Sequence, residues 1–119
     1  MLFRSEMFIK EVDSPQLVSK MEENDDLVII DVREMHEINR GTIQGAIPMP
    51  MATIPVRLDE IPKDKEVVFI CRSGARSGQV CMFLGQHGYE NVINLSGGII
   101  GWVRSGYQPV LPDQVSSTY

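Results

Sequence analysis

Apolar residues in this chain fall into short unbroken runs, with longer segments of helical spacing between them. Leu27-Val28-Ile29-Ile30 and Val67-Val68-Phe69-Ile70 are the two clearest runs. Runs of that length, bounded by polar turns, predict strands covered on both faces. Val92-Ile93 predicts a shorter third strand, and Ala46-Ile47 a brief one before Pro48 and Pro50. Ser14-Pro15 reads as a helix N-cap followed by proline at the first helical position. Leu17, Val18 and Met21 then form an apolar stripe, which Asn24-Asp25-Asp26 breaks. A short polar helix is expected over residues 34–40, ended by Gly41. Residues 51–61 predict a short helix or irregular turn, with Pro55 inside it, and residues 62–65 a turn. The best helical pattern covers residues 75–87, where Val80, Phe83, Leu84 and His87 recur and Gly88 supplies a stop. A last helix near residues 99–105 carries Trp102.

Strands alternating with helices predict an α/β fold with a mostly parallel central sheet and helices on both faces. The chain of 119 residues fits one domain. The expected core spans residues 8–110, with a loosely ordered polar tail over 111–119. In such folds ligands sit beyond the carboxyl ends of strands. Two strand ends stand out, Asp31 after the first long run and Cys71 after the second.

Charge narrows the function classes. The formal net charge of -5, with no basic stretch, argues against nucleic-acid binding. No apolar run is long enough for a membrane span, and the first residues are too short and mixed for a secretory signal. The expected compartment is the cytoplasm. The two cysteines, Cys71 and Cys81, are ten residues apart, which fits no zinc pattern, and His36 and His87 are not placed as ligands. No metal, other cofactor or disulfide is expected.

The chemistry concentrates in Cys71-Arg72-Ser73-Gly74-Ala75-Arg76-Ser77. Cys71 stands where a buried strand stops, shortly before a helix begins. A turn of this kind can aim successive backbone N–H groups inward as an anion-binding nest, and the helix N-terminus adds to it. Gly74 permits the positive φ that such a turn requires. Arg72 and Arg76 add planar cationic forks suited to an oxyanion. Each feature favours the thiolate of Cys71, since helix N-termini and cations lower a cysteine pKa to about 3.5–7.5. The bland alternative is an inert buried cysteine, but the glycine, serines and arginines beside it compose a poor core.

The loop resembles the active-site loop of rhodanese-like domains, especially small single-domain ones. Asp31-Val32-Arg33 with Glu37 is similar to the early motif of that family. Gly41-Thr42-Ile43-Gln44-Gly45-Ala46-Ile47-Pro48 resembles its Gly-His-Ile-x-Gly-Ala segment, with Thr42 in place of the histidine. Gly97-Gly98-Ile99-Ile100-Gly101-Trp102 resembles its closing Gly-Gly-x-x-x-Trp. The resemblance implies a thiosulfate-type sulfurtransferase. By it, Cys71 becomes a persulfide, Arg72 and Arg76 orient a small anionic donor such as thiosulfate, and the loop N–H groups hold the terminal sulfur. A sulfur-acceptor protein is a possible partner.

Two other function classes compete. Related phosphatase loops place five residues between cysteine and arginine, whereas four separate Cys71 from Arg76 here. The shorter loop encloses less volume and suits a lone sulfur better than a phosphoryl group. A binding or regulatory module, or a protein-to-protein sulfur relay with little thiosulfate activity, is the third class; the cysteine and both arginines argue against a purely regulatory module. Asp31 and Arg33 either support the loop or form a structural ion pair, and the structural role is favoured. Glu37 reads as a solvated or paired helix residue. Ser73 and Ser77 either donate into the site or cap the helix. Cys81 reads as core filler, with a resolving thiol as the alternative. His36 and His87 read as surface residues, and Trp102 as a packing anchor.

Overall fold

The computed structural model describes residues 9–112. The expected tail beyond 112 therefore lies outside the described residues, as does residue 8. Five strands form one parallel sheet: β1 (Lys10–Val12), β2 (Val28–Asp31), β3 (Ile47–Pro48), β4 (Val67–Ile70) and β5 (Val92–Leu95). Their spatial order is β1-β5-β4-β2-β3. The helices are α1 (Ser14–Glu23), α2 (Met35–Ile38), α3 (Ala75–Gln86) and α4 (Gly98–Arg104), with 3-10 turns at Met51–Val56 and Leu58–Glu60.

Side chains alternate across the sheet, so each central strand feeds two cores. Val67, Phe69 and Cys71 join Val80, Cys81 and Leu84 of α3 on one face. Val68 and Ile70 join Leu17 of α1 and Trp102 of α4 on the other. All four residues of β4 are buried, which is why its sequence is an unbroken apolar run. The α/β fold with helices on both faces is as the hydrophobic pattern predicts.

Three local details differ from the sequence reading. The cap of α1 is Asp13, not Ser14. Its Oδ1 accepts from Gln16 N–H at 2.9 Å while Gln16 Oε1 accepts from Asp13 N–H at 2.8 Å, a reciprocal capping box. The Asp13 side chain, matched by Gln16, outcompetes the serine, which is buried. The second is α2, a single turn over Met35–Ile38 where a longer helix was expected. The third is β1, which the sequence did not announce. It is a three-residue edge strand with one buried side chain, Val12, held by parallel pairing to β5.

Candidate active site

Cys71 follows β4 directly, and α3 begins at Ala75 with Gly74 as its N-cap at φ 104°. A Cβ on Gly74 would stand 3.3 Å from both Leu95 O and Gly97 N, backbone atoms with little freedom to move. The left-handed turn and this close packing both require glycine. The loop is fastened from behind by α4. Cys71 O accepts from Ile99 N–H at 2.9 Å, and Arg72 O accepts from Ile100 N–H at 3.1 Å. With those carbonyls tied to the first turn of α4, N–H groups of the loop are left to face the sulfur. Gly74 N–H donates to Cys71 Sγ at 3.1 Å, and Ser77 Oγ lies 3.3 Å from the same atom.

These contacts act on the pKa of the thiol. Burial raises its pKa, since a charged sulfur loses water. Against that act the Ser77 hydroxyl and the backbone N–H groups of Ser77, Gly74 and Ser73, and together they bring the Cys71 pKa below its ordinary value. Cys81, ten residues on in α3, has no such donors. Burial, aided by the negative charge of Glu11, pushes it up to about 12. Cys81 packs in the core, as expected, and both cysteines are free.

The two loop arginines are differently placed. Arg76 donates from Nη1 and Nη2 to the two oxygens of Glu37 in α2, at 2.8 and 2.9 Å. That paired bond holds the Glu37 pKa down to about 2, overcoming its partial burial. Of the two roles open to Glu37 in the sequence, solvated or paired, it takes the paired one, and its partner is the arginine that the resemblance gives to a donor anion. Arg72 is exposed and makes no ion pair among the described residues. It borders a cleft of about 260 Å³ that is also lined by Arg33, Glu37, Arg40, Ile99 and Val103. A larger cleft of about 650 Å³ lies between residues 42–48 and 110–112, and no residue of the Cys71 loop lines it.

Asp31 and Arg33 form a buried pair, with Arg33 Nη2 2.7 Å from Asp31 Oδ2 and Nε 3.0 Å from Oδ1. Arg33 Nη2 also donates to Gly41 O at 2.6 Å, and Thr42 Oγ1 donates to Asp31 Oδ2 at 2.7 Å. Thr42 therefore completes the shell of a buried carboxylate. Asp31 lies beside Ile70 in the β2–β4 ladder, one residue before Cys71. The cluster joins the start of the 41–48 segment to the strand end that carries the cysteine.

Sequence reasoning missed Asn94. It lies buried in β5, donates from Nδ2 to Glu11 Oε2 and Gly74 O, and accepts from the Ser77 hydroxyl at Oδ1. The available signal was a single amide inside the otherwise apolar Val92-Ile93-Asn94-Leu95. The remaining residues sit as expected. His36 and His87 are exposed, His87 at the C-cap of α3, and Trp102 packs against Tyr107 with ring centroids 4.7 Å apart. Among the described residues no helix is long and apolar enough to cross a membrane.

Comparison with known proteins follows the same residues. The model of the family described as "Rhodanese-like domain" matches residues 14–105. A sulfurtransferase from Allochromatium vinosum is 47% identical over 105 residues, covering 88% of this chain and 98% of the relative. The thiosulfate sulfurtransferase GlpE of Glaesserella parasuis is 34% identical, covering 77% of this chain and 85% of its own length. Among solved structures, a rhodanese-like domain protein from Staphylococcus aureus superimposes with a TM-score of 0.79 at 29% identity, over 88% of this chain and all of that one.

Proposed function

The chain belongs to the rhodanese-like domain family, and on that premise we propose that it is a sulfurtransferase working through a persulfide on Cys71. The Cys71 thiolate attacks the outer sulfur of a donor. With thiosulfate, the sulfur–sulfur bond of the donor breaks and sulfite leaves with its electron pair. The negative charge then resides on the outer sulfur of the Cys71 persulfide. A thiophilic acceptor attacks that outer sulfur, and the bond to Sγ breaks to return the thiolate. With cyanide as acceptor the product is thiocyanate.

One observation carries this reading: Cys71 Sγ sits on the Gly74 N–H at 3.1 Å, inside a turn that ends at the N-terminus of α3. Backbone N–H groups of Ser73, Gly74 and Ser77 face the sulfur and lower the pKa of its thiol, which favours the thiolate nucleophile without a neighbouring general base. Arg72, with Arg40 across the cleft, is available to a donor sulfonate. Asp31 and Arg33 serve as a buried structural pair at the end of β2, beside the strand that carries the cysteine. The names of the relatives from A. vinosum and G. parasuis agree with sulfur transfer. Turnover of thiosulfate with cyanide that disappears in Cys71→Ser is the expected result; unchanged turnover in that variant would refute the assignment.

A second reading concerns the donor. Arg76 is committed to Glu37, so Arg72 is the loop cation left for a small anion. This favours a persulfide donor over thiosulfate, and a role as a relay between proteins. Glutathione persulfide should then load Cys71 faster than thiosulfate at equal concentration; faster loading by thiosulfate would remove the relay reading.

A further inference from the structure

Ser77 has one hydroxyl proton and two neighbours that can accept it. One is Cys71 Sγ at 3.3 Å, and the other is Asn94 Oδ1, much closer to the hydroxyl. The orientation of the Asn94 amide is fixed by its other end. Nδ2 donates to Glu11 Oε2 at 2.9 Å and to Gly74 O at 3.1 Å, both of which can only accept. The atom facing Ser77 is therefore the amide oxygen, which cannot donate. We propose that Asn94 is a positioning residue that competes with the Cys71 sulfur for the single Ser77 proton and so sets how readily the nucleophile ionises.

The consequences follow from counting protons. In the thiol state Cys71 S–H donates to Ser77 Oγ, and the Ser77 hydroxyl donates to Asn94 Oδ1. Every donor is used once. When the thiol loses its proton to water, the sulfur becomes an acceptor facing a hydroxyl whose proton points away. The hydroxyl must rotate to the sulfur, and the buried Asn94 Oδ1 loses its partner, which is unfavourable. Once a sulfane sulfur is attached, the negative charge moves to the outer atom. Sγ becomes neutral, and the proton returns to Asn94. Ser77 thus favours ionisation of the empty site, Asn94 restrains it, and the restraint relaxes when the site is loaded.

Of the other charges around the sulfur, all but the exposed Arg72 are already bonded among the described residues. Asp31 and Arg33 at the end of β2 pair with each other, and Glu37 of α2 pairs with Arg76 of α3. Glu11 of β1 is bonded to Asn94, and Arg72 of the loop is exposed. Strand β5 brings only Asn94, and α4 meets the loop through backbone N–H groups, with Arg104 at its opposite end. Ser77 stands between Sγ and Asn94 Oδ1 and can give its proton to either.

The inference rests on Cys71 being the nucleophile proposed above, but its test needs no sulfur donor. The measurement is the midpoint, against pH, of Cys71 alkylation by iodoacetamide, read by peptide mass spectrometry on the full chain. Cys81 is silent in this range, its thiol being pushed up to about 12. Ser77→Ala should raise the midpoint by about one unit, the worth of one hydrogen bond to a charged sulfur. Asn94→Ala should lower it, by up to about one unit, because the proton is released to the sulfur. In Ser77→Ala protein, Asn94→Ala should leave the midpoint where it is. Asn94→Ser replaces the alanine variant if the latter does not fold. An unmoved midpoint in Ser77→Ala overturns the proposal. So does an upward or absent shift in the Asn94 variant, or an equal shift with and without Ser77. Failure here leaves sulfur transfer standing, since thiosulfate loading is a separate assay.

Discussion

Gly98 lies with its bare Cα against the carbonyl of Arg72: a Cβ there would stand 2.4 Å from that oxygen, and 2.5 Å from the carbonyl oxygen of Cys71. Gly98 also has φ +59°, a left-handed conformation. The glycine pair that opens α4 is thus what lets the helix reach under the cysteine loop and bind its carbonyls. Gly98→Ala is expected to destabilise the fold by about 2–4 kcal/mol, since the clash is with backbone and adds to the cost of positive φ. Urea unfolding measures this. Turnover should fall more than the folded fraction does, because Ile99 and Ile100 N–H lose their register with the loop.

The Glu37–Arg76 pair makes two predictions in acid and at the site. The Glu37 pKa is lowered to about 2, so its stabilisation is fully present above the ordinary carboxylate value of about 4.5 and is lost as pH falls towards 2. Both side chains are partly exposed, so the pair contributes no more than about 1 kcal/mol. Thermal melts of Glu37→Gln should lose the part of the acid limb between those values. At neutral pH the same variant frees Arg76, and the KM for thiosulfate should fall several-fold. An unchanged KM would remove Arg76 as a donor-binding group.

The Asp31–Arg33 pair is fully buried, and breaking one side leaves an uncompensated charge. Arg33→Met should cost about 3–5 kcal/mol. Thr42→Val removes one bond to the same carboxylate and should cost about 1–2 kcal/mol. Denaturant midpoints at constant m-value check both. Equal, small losses in the two variants would contradict the ranking.

Much of this was legible in local sequence. The strands β2 and β4 could be read because they are buried on both faces and hence apolar, β4 throughout and β2 up to Asp31. The Cys71 loop could be read because strand, glycine, arginines and helix start are contiguous. What escaped was long-range pairing. Ser77 meets Asn94 across 17 positions, and Arg76 meets Glu37 across 39. No local pattern specifies such partners, so the sequence suggested Arg76 as a free cation where the fold gives it a carboxylate. Edge strand β1 escaped for a similar reason: Lys10-Glu11-Val12 has one buried residue and takes its strand form from β5.

Cysteine reactivity gives a further test. Cys81 has a thiol pushed up to about 12 and packs in the core, whereas the Cys71 pKa is below its ordinary value. Persulfide donors at neutral pH should therefore modify Cys71 and leave Cys81 untouched in the folded protein. Peptide mapping after brief exposure should place the added sulfur on the peptide containing Cys71, while unfolded protein should react at both.

Cys71 is expected to carry sulfane sulfur. Intact-protein mass spectrometry after mixing with thiosulfate, and separately with glutathione persulfide, measures this directly. The expected result is the gain of one sulfur atom, removed by cyanide and absent from Cys71→Ser. No adduct with either donor, or an adduct that persists in Cys71→Ser, would contradict it.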